Sequence, residues 1–376
     1  LYPSIILSRT IRPGSDQLEI FDKLLEELVS MRLDAKRAMN ISVERDLRDR
    51  YDALQSSFKI LINSFYGYLG YSRALFNDYR KADEITKAGQ ALLRKIAQQI
   101  GLYNGRVLEV DTDGVFFVCP DNVTGKDQES ALVERISDSL PEGIRLVAAG
   151  RFLKMMSYKK KNYALLDYDN SLIIRGSSLI SRSMERFLRR YLRLAISNLL
   201  DENFSGLHLL YASFHHDITA HRWEAIDFCR TETIHDPFAV YEREIGEKKR
   251  NPAAAYEVAR LAGLVVRPGD RVSYYVTGTS AGVKISENCK LMEEWDPNFP
   301  DENTHYYLSR LDEATSKFEV FFSPEDFRRI FTVDDLFGFE AGGISMLRLP
   351  VAPESKDAPS AAEHDPREFK IWLGEG

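Results

Sequence analysis

Asp111-Thr112-Asp113-Gly114 lies between two apolar stretches and is the strongest chemical signal in the chain. Residues two apart on an extended backbone point to the same side, so two carboxylates would meet at one hairpin tip. Such a pair repels itself unless a cation sits between them. Hard oxygen donors with few other ligands suit Mg²⁺. Asp-Gly is also a common turn dipeptide, so a plain polar turn stands beside that reading. A second pattern runs through Gln55, Lys59 and Asn63, spaced i, i+4, i+8 on one helical stripe. Phe58, Ile60, Leu61, Ile62 and Phe65 surround it, and a lysine in so apolar a helix incurs a desolvation cost without a partner. Arg32 and Lys36 are also spaced i, i+4, on the preceding helical run. Antiparallel packing of the two runs would bring both stripes to one face, as a clamp for a triphosphate. A solvated basic face is the alternative; it fits Lys36 and Arg37 well and Lys59 poorly. Finally, Lys161-Asn162-Tyr163 follows two more lysines, and cations beside an aromatic ring suit contact with a nucleic-acid backbone.

The elements that must position these residues follow from periodicity. Residues 1–8 are apolar and short, and Pro3 limits a helix there, so a strand ending in a turn is expected. Residues 17–40 and 43–66 have helical spacing, and the short link between them predicts an antiparallel pair. A third helix is expected over 82–100, ended by Gly101, then a β-hairpin over 106–120 and a helix over 128–139. Strands are expected near 163–167 and 172–174. Beyond Leu179 the pattern is mainly helical, with one strand near 271–277. From Leu349 onward the chain is rich in Pro, Ala, Ser and acids, which predicts a disordered tail.

Length and composition set the bounds. The 376 residues allow two or three subdomains with cores of their own. No apolar run reaches the roughly 18 residues a membrane span needs, so no membrane partner is expected. Cys119, Cys229 and Cys289 are scattered and odd in number, which reads as reduced thiols in a cytoplasmic protein, not a disulfide frame or zinc site. The net charge of -7 argues mildly against nucleic acid. Basic residues nevertheless cluster at Lys159–Lys161, along Arg182, Arg186, Arg189, Arg190 and Arg193, and at Lys248, Lys249 and Arg250. A polyanion responds to local charge, so basic grooves can exist on an acidic chain. His215, His216 and His221 could suggest a metal module, but their spacing suits one helical face poorly, and Phe214 and Trp223 point to packing.

Taken in order, these pieces resemble family B DNA polymerases. Leu1-Tyr2-Pro3-Ser4-Ile5-Ile6 is similar to the end of motif A, and Lys59-Ile60-Leu61-Ile62-Asn63-Ser64-Phe65-Tyr66-Gly67 to motif B. Asp111-Thr112-Asp113 resembles motif C, and Lys161-Asn162-Tyr163 the Lys-x-Tyr motif at the palm–thumb border. Ala259-Arg260-Leu261 and Arg267-Pro268-Gly269-Asp270-Arg271-Val272 resemble a thumb segment, so the likeness spans roughly residues 1–340.

The resemblance implies an α+β right hand, with an antiparallel-sheet palm (1–16 and 70–165), helical-hairpin fingers (17–69) and a mainly helical thumb (166–348), then the tail (349–376). It implies a DNA-directed DNA polymerase that joins deoxynucleotides to a primer 3′-hydroxyl, using two Mg²⁺ ions. Asp113 resembles the metal-bridging ligand and Asp111 its neighbour; with Lys59 they form the expected catalytic set. Tyr2 resembles the steric gate beneath the incoming sugar. Arg32, Lys59 and Asn63, helped by Lys36, resemble the triphosphate holders, and Tyr66 and Gly67 the wall against the nascent base pair. Lys161, Tyr163 and Arg182 resemble contacts to primer–template DNA. The implied partners are that DNA and deoxynucleoside triphosphates, with a sliding clamp as a further candidate, in a nucleoid-associated, cytoplasmic setting.

Two features depart from the family pattern. The motif A aspartate would lie four residues before Leu1, so the chain is expected to be a fragment, inactive alone. Ser181 stands where many relatives carry a second arginine beside Arg182. A polymerase-derived DNA-binding protein without catalysis is the first rival, disfavoured by the intact Asp111, Asp113 and Lys59. A protein-primed polymerase is the second, disfavoured because two helices and short links fill the interval that would hold its insertion.

Overall fold

The computed structural model describes residues 1–181, 183–333, 338–347 and 371–372, with the backbone alone at Thr112, Asp113, Ile371 and Trp372. Arg182 and most of the expected tail lie outside the described residues. The chain forms two compact units, Leu1–Gly150 with Pro359–Gly376, and Arg151–Ala358.

The first unit opens with helix α1 (Tyr2–Arg9), where a strand was expected. Pro3 sits in the first turn, where its missing N–H leaves no bond unmade. The helix then buries Ile5 and Ile6 in the core, and Thr10 closes it in a left-handed conformation. Helix α2 (Ile20–Ile41) starts on the buried carboxylate of Asp16, which accepts from the N–H groups of Ile20 (3.0 Å) and Phe21 (2.7 Å). It packs along its length on α3 (Arg45–Leu69) across a three-residue link, giving the expected helical hairpin. Asp78 caps α4 (Tyr79–Leu102) through the N–H groups of Arg80 and Lys81 and also accepts the Gly14 N–H at 3.1 Å. Gly101 lies inside α4 rather than ending it.

β1 (Arg106–Val110) and β2 (Thr112–Val118) form the expected antiparallel hairpin, with Val110 opposite Val115. α5 (Lys126–Asp138) follows and buries Leu132, Val133 and Ile136. Ile5, Ile6, Phe21, Leu25, Ile62, Ile85, Ile96, Val110 and Ile136 share one core. Helix and strand faces that each show one apolar side are thereby paired off against each other.

In the second unit β3 (Lys154–Lys159), β4 (Asn162–Leu166) and β5 (Leu172–Arg175) make an antiparallel sheet. Helices α6 (Arg186–Leu200) and α7 (Phe204–Thr219) follow as a pair. After α8 (Ala225–Phe228) come β6 (Arg230–Thr233), α9 (Phe238–Gly246), α10 (Ala254–Leu261), β7 (Arg271–Val276) and β8 (Cys289–Leu291). β6, β7 and β8 form a second antiparallel sheet; of these only β7 was expected. α11 (Thr304–Thr315) and α12 (Pro324–Ile330) complete the unit. Phe187, Tyr191, Leu207, Phe228, Tyr307, Leu311 and Phe318 are fully buried in its core. His221 belongs to a packing network: its Nδ1 lies 2.7 Å from Glu302 Oε1, which also accepts from Trp223 Nε1, while Trp295 Nε1 donates to Oε2.

The short strand β9 (Ile371–Trp372) pairs parallel with β2, so the first unit's sheet is mixed, not purely antiparallel. Among the described residues no helix is long and apolar enough to cross a membrane.

Candidate active site

The first unit holds most of the residues singled out by type and spacing. Tyr2 begins α1, and its ring lies 4.4 Å from that of Tyr66 near the end of α3, inclined by 36°. The Tyr66 hydroxyl is 2.9 Å from Thr86 Oγ1 on α4. Phe65, the residue before Tyr66, packs its ring 4.9 Å from Phe21 of α2. Three helices thus fix the two tyrosines from separate directions.

Arg32 and Lys36 sit one turn apart on α2 and are half-buried on either side of buried Ala35. Lys59 and Asn63 sit one turn apart on α3 and are both exposed. The expected desolvation of Lys59 therefore does not occur. Its apolar neighbours are themselves exposed, Ile60 by 69% and Leu61 by 50%, because only Ile62 and Leu69 of α3 are buried in the core. Gln55 turns to its own helix, donating to Asp52 Oδ1 at 2.9 Å. Gly67 is exposed, and among the described residues, the backbone of α3 itself aside, no atom lies within 4 Å of where its Cβ would stand. Packing among the described residues does not require that glycine.

The β1–β2 turn brings Asp111 to the hairpin tip, half-buried, with its N–H donating to the Gly114 carbonyl at 3.2 Å. Val110 anchors the turn in the core, and Glu109 is buried beside it. The Asp113 side chain lies outside the described residues; its backbone is in β2. Among the described residues no three His, Cys, Asp or Glu side chains form a group that could hold a metal ion. Mg²⁺ commonly takes one or two carboxylates and completes its shell with water and substrate phosphate oxygens. The all-oxygen donor chemistry of Asp111 and Asp113 fits that habit.

Lys161 and Tyr163 belong to the second unit. Lys161 is exposed in the β3–β4 turn, in a left-handed conformation with φ of 61°. Asn162 locks that turn, donating to the Lys160 carbonyl at 2.8 Å and accepting the Ser178 N–H at 2.8 Å. Gly176 backs onto it at φ 95°, where a Cβ would fall 2.2 Å from Asn162 Oδ1, so only glycine fits. Tyr163 is 6% exposed, so of this pair the lysine is the one offered to solvent. Arg182 lies outside the described residues.

Thr86 and Gly89 were not singled out by sequence, yet they touch Tyr66 and Tyr2. The signal available was a small residue, Gly89, inside an apolar helical stripe of Ile85, Leu92 and Ile96.

The family model described as DNA polymerase family B matches residues 8–318. The chain is 25% identical over 337 residues to a DNA polymerase of Pyrococcus glycovorans, covering 82% of this chain and 42% of that protein. It is 24% identical over 340 residues to a DNA polymerase of Thermococcus gorgonarius, again over 82% and 42%. In fold it is similar to the family B DNA polymerase of the hyperthermophilic archaeon Pyrobaculum calidifontis, with a TM-score of 0.59, 18% identity, and coverage of 85% of this chain and 44% of that one. The chain spans less than half the length of each of these relatives.

Proposed function

The chain belongs to DNA polymerase family B, and we propose that it serves template-directed DNA synthesis, adding deoxynucleotides to a primer 3′-hydroxyl. The observation that carries this reading is the family match, which encloses the motif B helix α3 and the Asp111–Asp113 hairpin. In this scheme the primer 3′-hydroxyl attacks the α-phosphate in line and pyrophosphate departs. Lys59 and Asn63 of α3, with Arg32 and Lys36 of α2, hold the triphosphate. The position of Lys59 on the exposed face of α3, one turn from Asn63, supports that role. Tyr2 lies beneath the sugar, backed by Tyr66, and Gly67 leaves room for the base pair, which its open surroundings support. Asp111 and Asp113 would hold two Mg²⁺ ions, which when bound would supply activation of the attacking oxygen and neutralise charge on the departing phosphates. Lys161 and Arg182 contact the primer–template backbone, with largely buried Tyr163 close to Lys161 in the chain; these contacts position the duplex while base pairing selects the sequence.

The test is primer extension by the full-length protein with Mg²⁺ and four deoxynucleotides. Incorporation directed by the template, lost in Asp113→Asn with duplex binding retained, is the expected result. Duplex binding with no incorporation by the unaltered protein would leave a DNA-binding role in its place.

A further inference from the structure

Helix α4 presents two small residues to the aromatic pair. Gly89 is buried in mid-helix, and a Cβ there would lie 3.1 Å from Tyr2 Cε1, 3.6 Å from Ile5 Cδ1 and 3.7 Å from Leu1 Cδ2. Glycine weakens a helix interior relative to alanine. Here it admits the edge of the Tyr2 ring closer than a Cβ comfortably allows, so that even a methyl group would make the ring give by a few tenths of an ångström. One turn earlier, Thr86 Oγ1 is 3.0 Å from the Ala82 carbonyl of its own helix and 2.9 Å from the Tyr66 hydroxyl. The threonine hydroxyl has one proton, which goes to the Ala82 carbonyl, since a carbonyl only accepts. Tyr66 must then be the donor in its bond to Thr86, which fixes the direction of its O–H and the height of its ring. Tyr2 rests against that ring at 4.4 Å.

We propose that Gly89 and Thr86 are positioning residues for sugar selection: Gly89 sets how far the Tyr2 ring withdraws toward α4, and Thr86 holds the Tyr66 ring that supports it. This rests on Tyr2 being the gate that excludes a 2′-hydroxyl. Neither residue touches the nucleotide; both act through the tyrosines. A methyl group at Gly89 pushes the Tyr2 ring off α4 and into the space for the sugar. Loss of the Thr86 hydroxyl frees Tyr66 and lets Tyr2 fall back. The two changes therefore act in opposite directions.

The experiment measures single-nucleotide incorporation of matched deoxy- and ribonucleotides by the full-length protein. In Gly89→Ala the deoxynucleotide KM should rise about tenfold or more, the usual scale for one added methyl in a fitted pocket, with kcat nearly unchanged. Thr86→Val should lower discrimination against ribonucleotides, and Thr86→Ser, which restores the hydroxyl, should recover it. In a Tyr2→Ala background Gly89→Ala should add nothing, because the ring it displaces is gone. Thr86→Val adds little volume and leaves Gly89 intact, so it decides the matter alone if Gly89→Ala fails to fold. Unchanged discrimination in Tyr2→Ala would overturn the gate itself and this inference with it. Altered discrimination in Tyr2→Ala, with wild-type kinetics in folded Gly89→Ala or in Thr86→Val, would overturn only the role of α4.

Discussion

Tyr66 donates its hydroxyl to Thr86 Oγ1 across 2.9 Å, tying the end of α3 to α4. The bond is half-buried, and it joins two helices that also meet in the apolar core around Ile62, Leu69 and Ile85. A structural consequence can be tested without any substrate. Tyr66→Phe removes the donor but keeps the ring, so the cost should be that of one net hydrogen bond, about 1 kcal/mol. Thr86→Val should cost a similar amount, and the double variant less than the sum, because the second change has no bond left to break. Urea unfolding of all four proteins measures this, and strict additivity would mean that the bond contributes nothing.

Asp78 ties the start of α4 to the loop before α2. Burial pushes its carboxyl up, but the N–H groups of Gly14, Lys81 and Arg80, with the Arg80 charge, outweigh this and hold it below the usual carboxylate range. A lowered folded pKa means stability present above the unfolded value and lost as pH falls through the folded one. Asp78→Ala should cost about 1 kcal/mol near neutral pH, as for a lost helix cap. The deficit should shrink in acid, where the wild-type carboxyl is protonated too. A deficit independent of pH would show that the charge plays no part.

In the second unit Glu185 has a fully buried side chain, with Arg230 Nε at 2.9 Å and Arg310 Nη2 at 3.5 Å. The Arg230 contact is an ion pair off the line of a hydrogen bond. Burial alone would lower the Arg230 pKa, but the Glu185 charge raises it above the ordinary value. Glu185→Ala leaves two arginines facing each other without their anion. Breaking such a buried group should cost about 3–5 kcal/mol. A fall in the urea midpoint with an unchanged slope is the expected reading; a shift too small to resolve would mean that water enters and screens the pair.

Much of this arrangement was legible in the sequence, and the failures have physical causes. The α2–α3 hairpin and the β1–β2 hairpin follow from periods of 3.6 and 2 residues in long or well-punctuated segments. α1 was misread because a short, mostly apolar stretch with an early proline fits a strand or a first helical turn equally, and only the core decides. β3, β6 and β8 were missed because four- or three-residue strands, or one as polar as Lys154–Lys159, take their conformation from distant partners. Lys59 was taken to be desolvated because apolar neighbours were assumed to be buried, whereas Ile60 and Leu61 face outward. Thr86 and Gly89 stayed silent because small residues in an apolar stripe gain meaning only when the ring they face is known.

Buried thiols predict the alkaline limit of stability. Burial, aided by the charges of Glu257, Glu232 and Glu294, pushes the Cys289 thiol up to about 11. Burial with Glu293 and Glu302 pushes Cys229 up to about 12. Both folded values exceed the ordinary 9.0, so their contribution is complete below pH 9 and is lost as pH rises toward 11 and 12. The urea midpoint should hold steady to about pH 9 and then decline, and Cys289→Ala should blunt the decline. Rapid modification of Cys229 or Cys289 by a thiol reagent in the folded protein near neutral pH would contradict the burial.

Lys59 and Asp113 should fail in different ways when altered. Lys59 stands exposed on α3 beside exposed Ile60 and Leu61, a face suited to closing on a ligand rather than to holding the fold. If its ammonium meets the triphosphate, the contact strengthens as charge moves onto the departing pyrophosphate, so it serves the transition state as well as binding. Lys59→Ala in the full-length protein should then lower kcat and raise KM for the nucleotide, with duplex affinity nearly unchanged. A loss on the order of 10²–10³ in kcat/KM corresponds to about 3–4 kcal/mol. Folding should be little affected, because truncating an exposed lysine leaves no cavity in the core. If Asp113 holds metal, Asp113→Asn removes a ligand charge, so incorporation should collapse at every nucleotide concentration while duplex binding persists. Steady-state nucleotide titration beside a separate duplex-binding measurement distinguishes the two. Should Lys59→Ala weaken duplex binding as much as nucleotide use, the lysine touches the DNA backbone, and the exposed face of α3 is a duplex surface instead of a triphosphate clamp.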